Sequence, residues 1–307
     1  MELTTNIYTL EDLESTDLTP YDGVYLGDPW STDYPANLNL NLTDLEQALK
    51  ILKARGLRAY ISTFSVPREE DMPGVEKLLE RIHDKSLPVD MLEVHNAGVL
   101  EMINSSPLNI PIHMGAVANI YTSAAAKLFR EHGVTRVTGS YELTLEELKV
   151  LKDLGLEVEI LVQGPMALGV SEKCPAGWWM KGEISQARIC NEVVHLESEH
   201  MALRARGRAT WSGKDVCLLE ILSRLWALKF GFFRIDGTLY GSDYIREAGS
   251  IYREAWNGIA NGTPVDVKRQ KEMVNKLAWY NSNGLCNGYL LGQSGSDYMG
   301  DLWPPRD

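Results

Sequence analysis

Short β-rich runs alternate with helix-period segments from about residue 20 onward, the pattern of βα units that build a largely parallel sheet. Residues 23–27, 57–64, 89–94, 110–113, 135–138, 156–162 and 231–236 read as strands. Between them, Thr43 or Asp44 is placed to cap a helix that puts Leu45, Leu49 and Leu52 on one face and ends near Gly56. Further helices are expected at 74–85, from Ser123 to Gly133 and at 243–259, and regular structure returns at 213–228. Thr144 and Glu147 have the spacing of a capping box, and Gly155 suits the left-handed position after the helix they start. The units of the middle stretch recur every roughly 22 residues, which leaves room only for short connections.

This pattern predicts an α/β fold, a TIM-like (β/α) barrel in modified or incomplete form. The 307 residues suit one domain, 1–307, because such a barrel takes about 250 residues. Regularity fails between about 164 and 213, where Pro165, Pro175, Trp178 and Trp179 accompany two of the four cysteines, so an irregular insertion is expected there. Residues from about 260 to 307 read as a C-terminal extension.

Charge narrows the choice of partners. Thirty Lys and Arg against 42 Asp and Glu give a net charge of −12, which repels phosphate backbones and anionic membrane faces, so nucleic acid is not the expected partner. No stretch is long and apolar enough to span a membrane, and Met1 to Asn6 carries no secretory pattern. A cytoplasmic protein with reduced thiols is expected, and those thiols are then packing groups, nucleophiles or metal ligands.

The strand at 156–162 divides its side chains cleanly. Leu156, Val158, Ile160 and Val162 share one face, and Glu157, Glu159, Leu161 and Gln163 share the other. In a barrel the apolar set faces the helices, and the carboxylates face the interior, either as an ion pair and a solvated end layer or as ligand-binding or acid–base groups. His113 follows an apolar strand and is expected near the C-terminal rim, where barrel active sites collect. Asn96, Glu142 and Asp236 fall at strand ends in the same way. The run from His195 to His200 lacks the spacing of a zinc helix and reads as a polar surface segment. No phosphate-binding glycine loop and no serine-hydrolase elbow is present.

Several segments together resemble the collagenase-like peptidase family U32. The Glu-bearing strand followed by Gly164, Pro165 and Met166, with Ser171 three residues before Cys174, carries the likeness. Matching segments run through His113 to Tyr121, Arg136 to Thr144, Lys214 to Leu219, Phe233 to Gly237 and Asn287 to Tyr289. The resemblance implies a TIM-like barrel and, from several members, a 4Fe-4S cluster and a part in oxygen-independent hydroxylation of ubiquinone precursors or RNA bases. It is nearest to the iron–sulfur partner of anaerobic ubiquinone biosynthesis, which works as a heterodimer.

On that resemblance Cys174, Cys190, Cys217 and Cys286 would hold the cluster, and His113, Glu142 and Glu159 would serve a small-molecule substrate at the barrel mouth. The ligand set departs from the family's, since Ala167 and Ser31 stand where members carry cysteine, and Thr238 follows Asp236 and Gly237 where many carry Arg. Two alternatives stay open: a peptidase, as the family name says, and a non-catalytic partner subunit without a cluster.

Overall fold

The computed structural model describes residues 1–32, 34, 36–174, 192–199 and 201–303. Eight parallel strands close into a barrel: β1 (Glu2–Ile7), β2 (Gly23–Leu26), β3 (Arg58–Ser62), β4 (Met91–Val94), β5 (Ile112–Met114), β6 (Val134–Thr138), β7 (Glu157–Val170) and, later in the chain, β11 (Phe232–Ile235). Each pairs with the next, and β11 closes the ring by pairing with both β7 and β1. The expected TIM-like barrel is therefore the fold.

Helices follow the strands: α1 (Leu10–Ser15), α2 (Leu42–Ala54), α3 (Met72–His83), α4 (Ala97–Asn104), α5 (Ser123–Glu131), α6 (Leu145–Asp153), α7 (Leu222–Ala227) and α8 (Ser242–Ala260). They cover the outward strand residues, among them Leu26, Ile61, Leu92, Val137, Val158 and Phe233, all fully or nearly fully buried. The capping box of Thr144 and Glu147 forms as expected, and Gly155 takes a φ of +85°. Helix α2 is capped by Asn41 rather than by Thr43 or Asp44.

Two expectations are corrected. The alternation starts at Glu2, not near residue 20; β1 shows only Leu3 and Ile7 as strong outward apolar signals, because Glu2, Thr4 and Asn6 face a polar interior. The stretch from 164 to 213 is also more regular than its composition implies. Strand β7 continues to Val170, and β8 (Val193–Glu197), β9 (Ala202–Arg206) and β10 (Ala209–Cys217) form an antiparallel extension on it. Within 213–228, β10 runs to Cys217 and α7 begins at Leu222. Pro175, Trp178, Trp179, Cys190 and His200, singled out above, lie outside the described residues.

Gly164 marks the point where β7 leaves the barrel. Its φ is +116°, and a Cβ there would stand 2.3 Å from the Asp236 carbonyl oxygen, so only glycine lets the two strands approach this closely. The hairpin of β9 and β10 then folds toward the barrel mouth. Arg206 meets Asp28 at 2.9 Å and Arg208 donates to Thr32 and to the Val66 carbonyl, tying the hairpin to the loops after β2 and β3. After α8 come α9 (Val267–Ala278) and the short strand β12 (Leu285–Cys286), which pairs with β10.

Candidate active site at the barrel mouth

TIM barrels usually fill their interior with branched apolar side chains. This one places Tyr25, Tyr60, Glu93, His113, Arg136, Glu159 and Arg234 there. Buried charges of this kind persist only when paired, and here they are paired in layers.

In the lower layer Arg136 donates to Glu2 at 2.7 Å and to Glu157 at 2.9 Å, while Arg58 meets Glu2 at 2.7 Å. Above it, Arg234 bridges two carboxylates. Its Nη2 donates to Glu93 Oε1 at 2.6 Å, and its Nε is 2.7 Å from Glu159 Oε1, an ion contact outside hydrogen-bonding angles. The guanidinium lies 3.8 Å from the centre of the Tyr25 ring, a cation–π contact. The expectation that strand β7 aims its carboxylates inward holds: Glu157 sits at the half-exposed lower end and Glu159 in the buried ion network.

A hydrogen-bonded line crosses this layer. Tyr25 Oη donates to Glu159 Oε2 at 2.9 Å, stands 2.9 Å from His113 Nδ1, and His113 Nε2 stands 2.9 Å from Thr138 Oγ1. Since the tyrosine proton goes to the carboxylate, the imidazole donates from Nδ1 and accepts the threonine proton at Nε2. Burial pushes His113 well below its ordinary pKa against the pull of Glu93, and Arg234 and Arg136 push it further, so it is neutral. Burial acts to raise both carboxylates. The Arg234 guanidinium still holds Glu93 well below the usual range, whereas Glu159 stays raised. The network thus holds two carboxyl groups with their affinities for a proton driven apart.

Over this floor, at the C-terminal ends of the strands, lies a narrow pocket with room for about one water-sized group, lined by Tyr8, Trp30, His95, Tyr141 and Asp236 among others. The structure joins His113 and Glu159 in one cluster, but His113 lies inside the barrel and fully buried rather than at the rim. Glu142 is elsewhere, exposed on the loop after β6, where it accepts from Tyr121. Asn96 caps α4, and Asp236 lines the pocket. His195 is exposed on β8. Sequence reasoning passed over Arg234, Glu93 and His95; the alternation of β4 and β11, which puts Glu93, His95 and Arg234 on inward faces, was the available signal.

Glu93, His113 and Glu159 have ligand atoms within 4.8 Å of one another, a spacing that a metal ion could use. Arg234 already occupies the space between the carboxylates, and both imidazole nitrogens are engaged, so this set fits an ion network better than a metal. The thiols expected to hold a cluster are also separated. Cys217 and Cys286 are buried at one end of the β7–β10 ladder, where Cys217 faces Gln163 and Val216 faces Cys286. Cys174 follows the other end, where Val170 pairs with Ala209. The nine-residue β10 spans up to roughly 25 Å at about 3.3 Å per residue. Along this ladder Cys174 follows the opposite end from Cys217 and Cys286, and Cys190 lies outside the described residues.

A polar-cored (β/α) barrel with an ion network under its mouth is the class that the fold and site define. Across residues 10–300 the chain matches the model of peptidase family U32, and it belongs to that family. It is 26% identical over 242 residues to an uncharacterized protease of Methanocaldococcus jannaschii, covering 74% of this chain and 58% of that protein. It is 21% identical over 250 residues to tRNA hydroxylation protein P1 of Bacillus subtilis, covering 78% of this chain and 58% of that one. A collagenase of Porphyromonas gingivalis is 20% identical over 273 residues, covering 83% and 64%. The chain thus spans about three-fifths of the length of these relatives.

Proposed function

We propose that this chain supports an oxygen-independent hydroxylation of a ring compound held at the barrel mouth, working with a paralogous family member. The observation that carries this reading is the line from Glu159 through Tyr25 and His113 to Thr138 beneath the pocket, a set of groups able to hold or move a proton next to a bound ligand. Relatives named for tRNA hydroxylation support the reaction class. The net charge of −12 works against direct capture of an RNA backbone, so a partner would present such a substrate, or the substrate is a small ubiquinone-type molecule. The oxidising centre, a 4Fe-4S cluster in the family, is assigned in this proposal either to Cys174, Cys190, Cys217 and Cys286 of this chain or to the partner.

The test is deletion of the coding sequence in its host, with mass spectrometry of tRNA nucleosides and quinone precursors under anaerobic growth. One hydroxylated species should disappear and return with the wild-type chain but not with Glu159→Gln. No change in either pool would sink the reading. Iron content and visible absorbance after anaerobic purification, alone and with the paralogue, locate the cluster.

One contact favours a second reading, peptide hydrolysis. Thr138 Oγ1 bonded to a neutral, oriented imidazole is the arrangement of an activated nucleophile. Cleavage of a quenched peptide library that vanishes in Thr138→Val would establish it in place of hydroxylation.

A further inference from the structure

We propose that His95 and Tyr141 are the pair that reads the ligand in the mouth pocket, and that the group they accept is an uncharged one that both donates and accepts hydrogen bonds. The inference rests on the reading of the mouth as a binding site and adds which residues select the ligand, and by what chemistry.

His95 has a side chain only 2% exposed, yet neither ring nitrogen has a hydrogen-bond partner among the described residues. Its Nε2 is 3.5 Å from Glu93 Oε2, outside hydrogen-bonding geometry. A buried imidazole with both positions unused is costly, and a bound ligand would remove that cost. The ring cannot turn to find a partner. On one side it lies on the Cα of Gly115, where a Cβ would stand 2.2 Å from His95 Cε1; on the other is Trp30, with ring centres 5.9 Å apart. Tyr141 lines the same pocket from the loop after β6, and its hydroxyl bonds to no described residue. By contrast, the neighbouring Tyr8 hydroxyl already meets Asn6, Trp30 and Thr238.

The charge preference follows from how the ions of the floor are spent. Arg234, the cation lining this pocket, is shared by Glu93 and Glu159, so an entering anion would lose its water without gaining a counter-ion. Asp236 already accepts the Thr238 backbone N–H at 2.7 Å, and Glu93 accepts from Ser62 and Arg234, which leaves little for a cation. The space beside His95 takes only a small group, so it receives the polar tip of a ligand, edged by the apolar Pro29, Trp30, Ala116 and Leu161.

Benzamide, benzoate and benzamidine share one shape and differ in charge, so they serve as probes. Binding is followed by the ring nitrogen signals of protein carrying nitrogen-15 histidine, with the His95 signals assigned by their loss in His95→Phe. Benzamide should move the His95 signals and bind about tenfold more tightly than either ion, and His95→Phe and Tyr141→Phe should each weaken it by about three- to tenfold, the scale of one hydrogen bond. Circular dichroism verifies folding of each variant, and Tyr141→Phe, which removes one oxygen only, carries the test if His95→Phe does not fold. The proposal is overturned if either ion binds as tightly as benzamide, if none of the three binds, or if a folded variant keeps wild-type affinity. The readout needs no turnover: selective benzamide binding with no change in hydroxylated products sinks the proposed function alone, and the converse result sinks this inference alone.

Discussion

Arg234 donates from Nη2 to Glu93 Oε1 at 2.6 Å, and the same guanidinium touches Glu159, so one cation serves two buried carboxylates, one from the neighbouring strand β7 and one from β4 across the barrel. Loss of this cation leaves both charges without compensation. Arg234→Met is therefore expected to lose about 3–5 kcal/mol of stability, the usual cost of breaking a buried pair. Urea denaturation measures it, and adding Glu93→Gln to Arg234→Met should recover part of the loss. Equal stability of Arg234→Met and wild type would show that the network is not what holds the interior together.

Acid should weaken the fold through His113. Burial holds its folded pKa well below the unfolded value of about 6.5, so its contribution is fully present above pH 6.5 and declines as pH falls below it, because the unfolded chain then takes up a proton that the native state refuses. The limiting slope is about 1.4 kcal/mol per pH unit for one such group. Glu93, held low by Arg234 despite its burial, adds a loss of the same sign at lower pH, below about 4.3, while Glu159, raised by burial, acts in the opposite direction above that value, up to its own raised pKa. Comparison with a His113 variant across pH 6.5 to 5 separates the histidine from Glu159. Denaturation midpoints across that range should fall for wild type and stay flatter for His113→Gln; parallel curves would remove His113 as the cause.

Gly115→Ala tests the packing that fixes His95. The added Cβ would sit 2.2 Å from the ring, and overpacking of this kind costs about 1–3 kcal/mol. Gly169→Ala, exposed on β7 with nothing within 4 Å, is the control and should be silent. Thermal melts of the two variants compare them directly, and an unperturbed Gly115→Ala contradicts the close approach.

Cys217 and Cys286 should resist alkylation in the native protein. Burial pushes their thiols up to about 11 and about 12, so almost no thiolate is present at pH 8. Iodoacetamide followed by peptide mapping should modify both only after unfolding. Rapid native modification would mean that this end of the β7–β10 ladder opens, and would restore these thiols as candidates for metal binding.

The residues on either side of β7 show how much of the fold could be read beforehand. The split of Leu156, Val158, Ile160 and Val162 from Glu157, Glu159 and Leu161 was visible, as was the capping box before α6, because strand alternation and helix capping are local properties of a few successive residues. The β8–β10 extension was not, since its strands borrow their partners from the far end of β7 and its composition looks like loop. His113 and Glu159 were named from their strands, whereas Glu142, equally polar at a strand end, turned outward to Tyr121. A strand-end position specifies a level along the barrel, not a direction.

The sequence by itself determined the repeating βα order, the inward face of carboxylates and the membership of a family recognisable by its spaced motifs. Tertiary structure alone decided that Arg234 would neutralise Glu93 and Glu159, that His95 would be left without a hydrogen-bond partner among the described residues, and that Cys174 would follow the opposite end of the β7–β10 ladder from Cys217 and Cys286. The reason is that periodicity is set by neighbours in the chain, while a charge partner is chosen by barrel closure, which brings together residues more than a hundred positions apart.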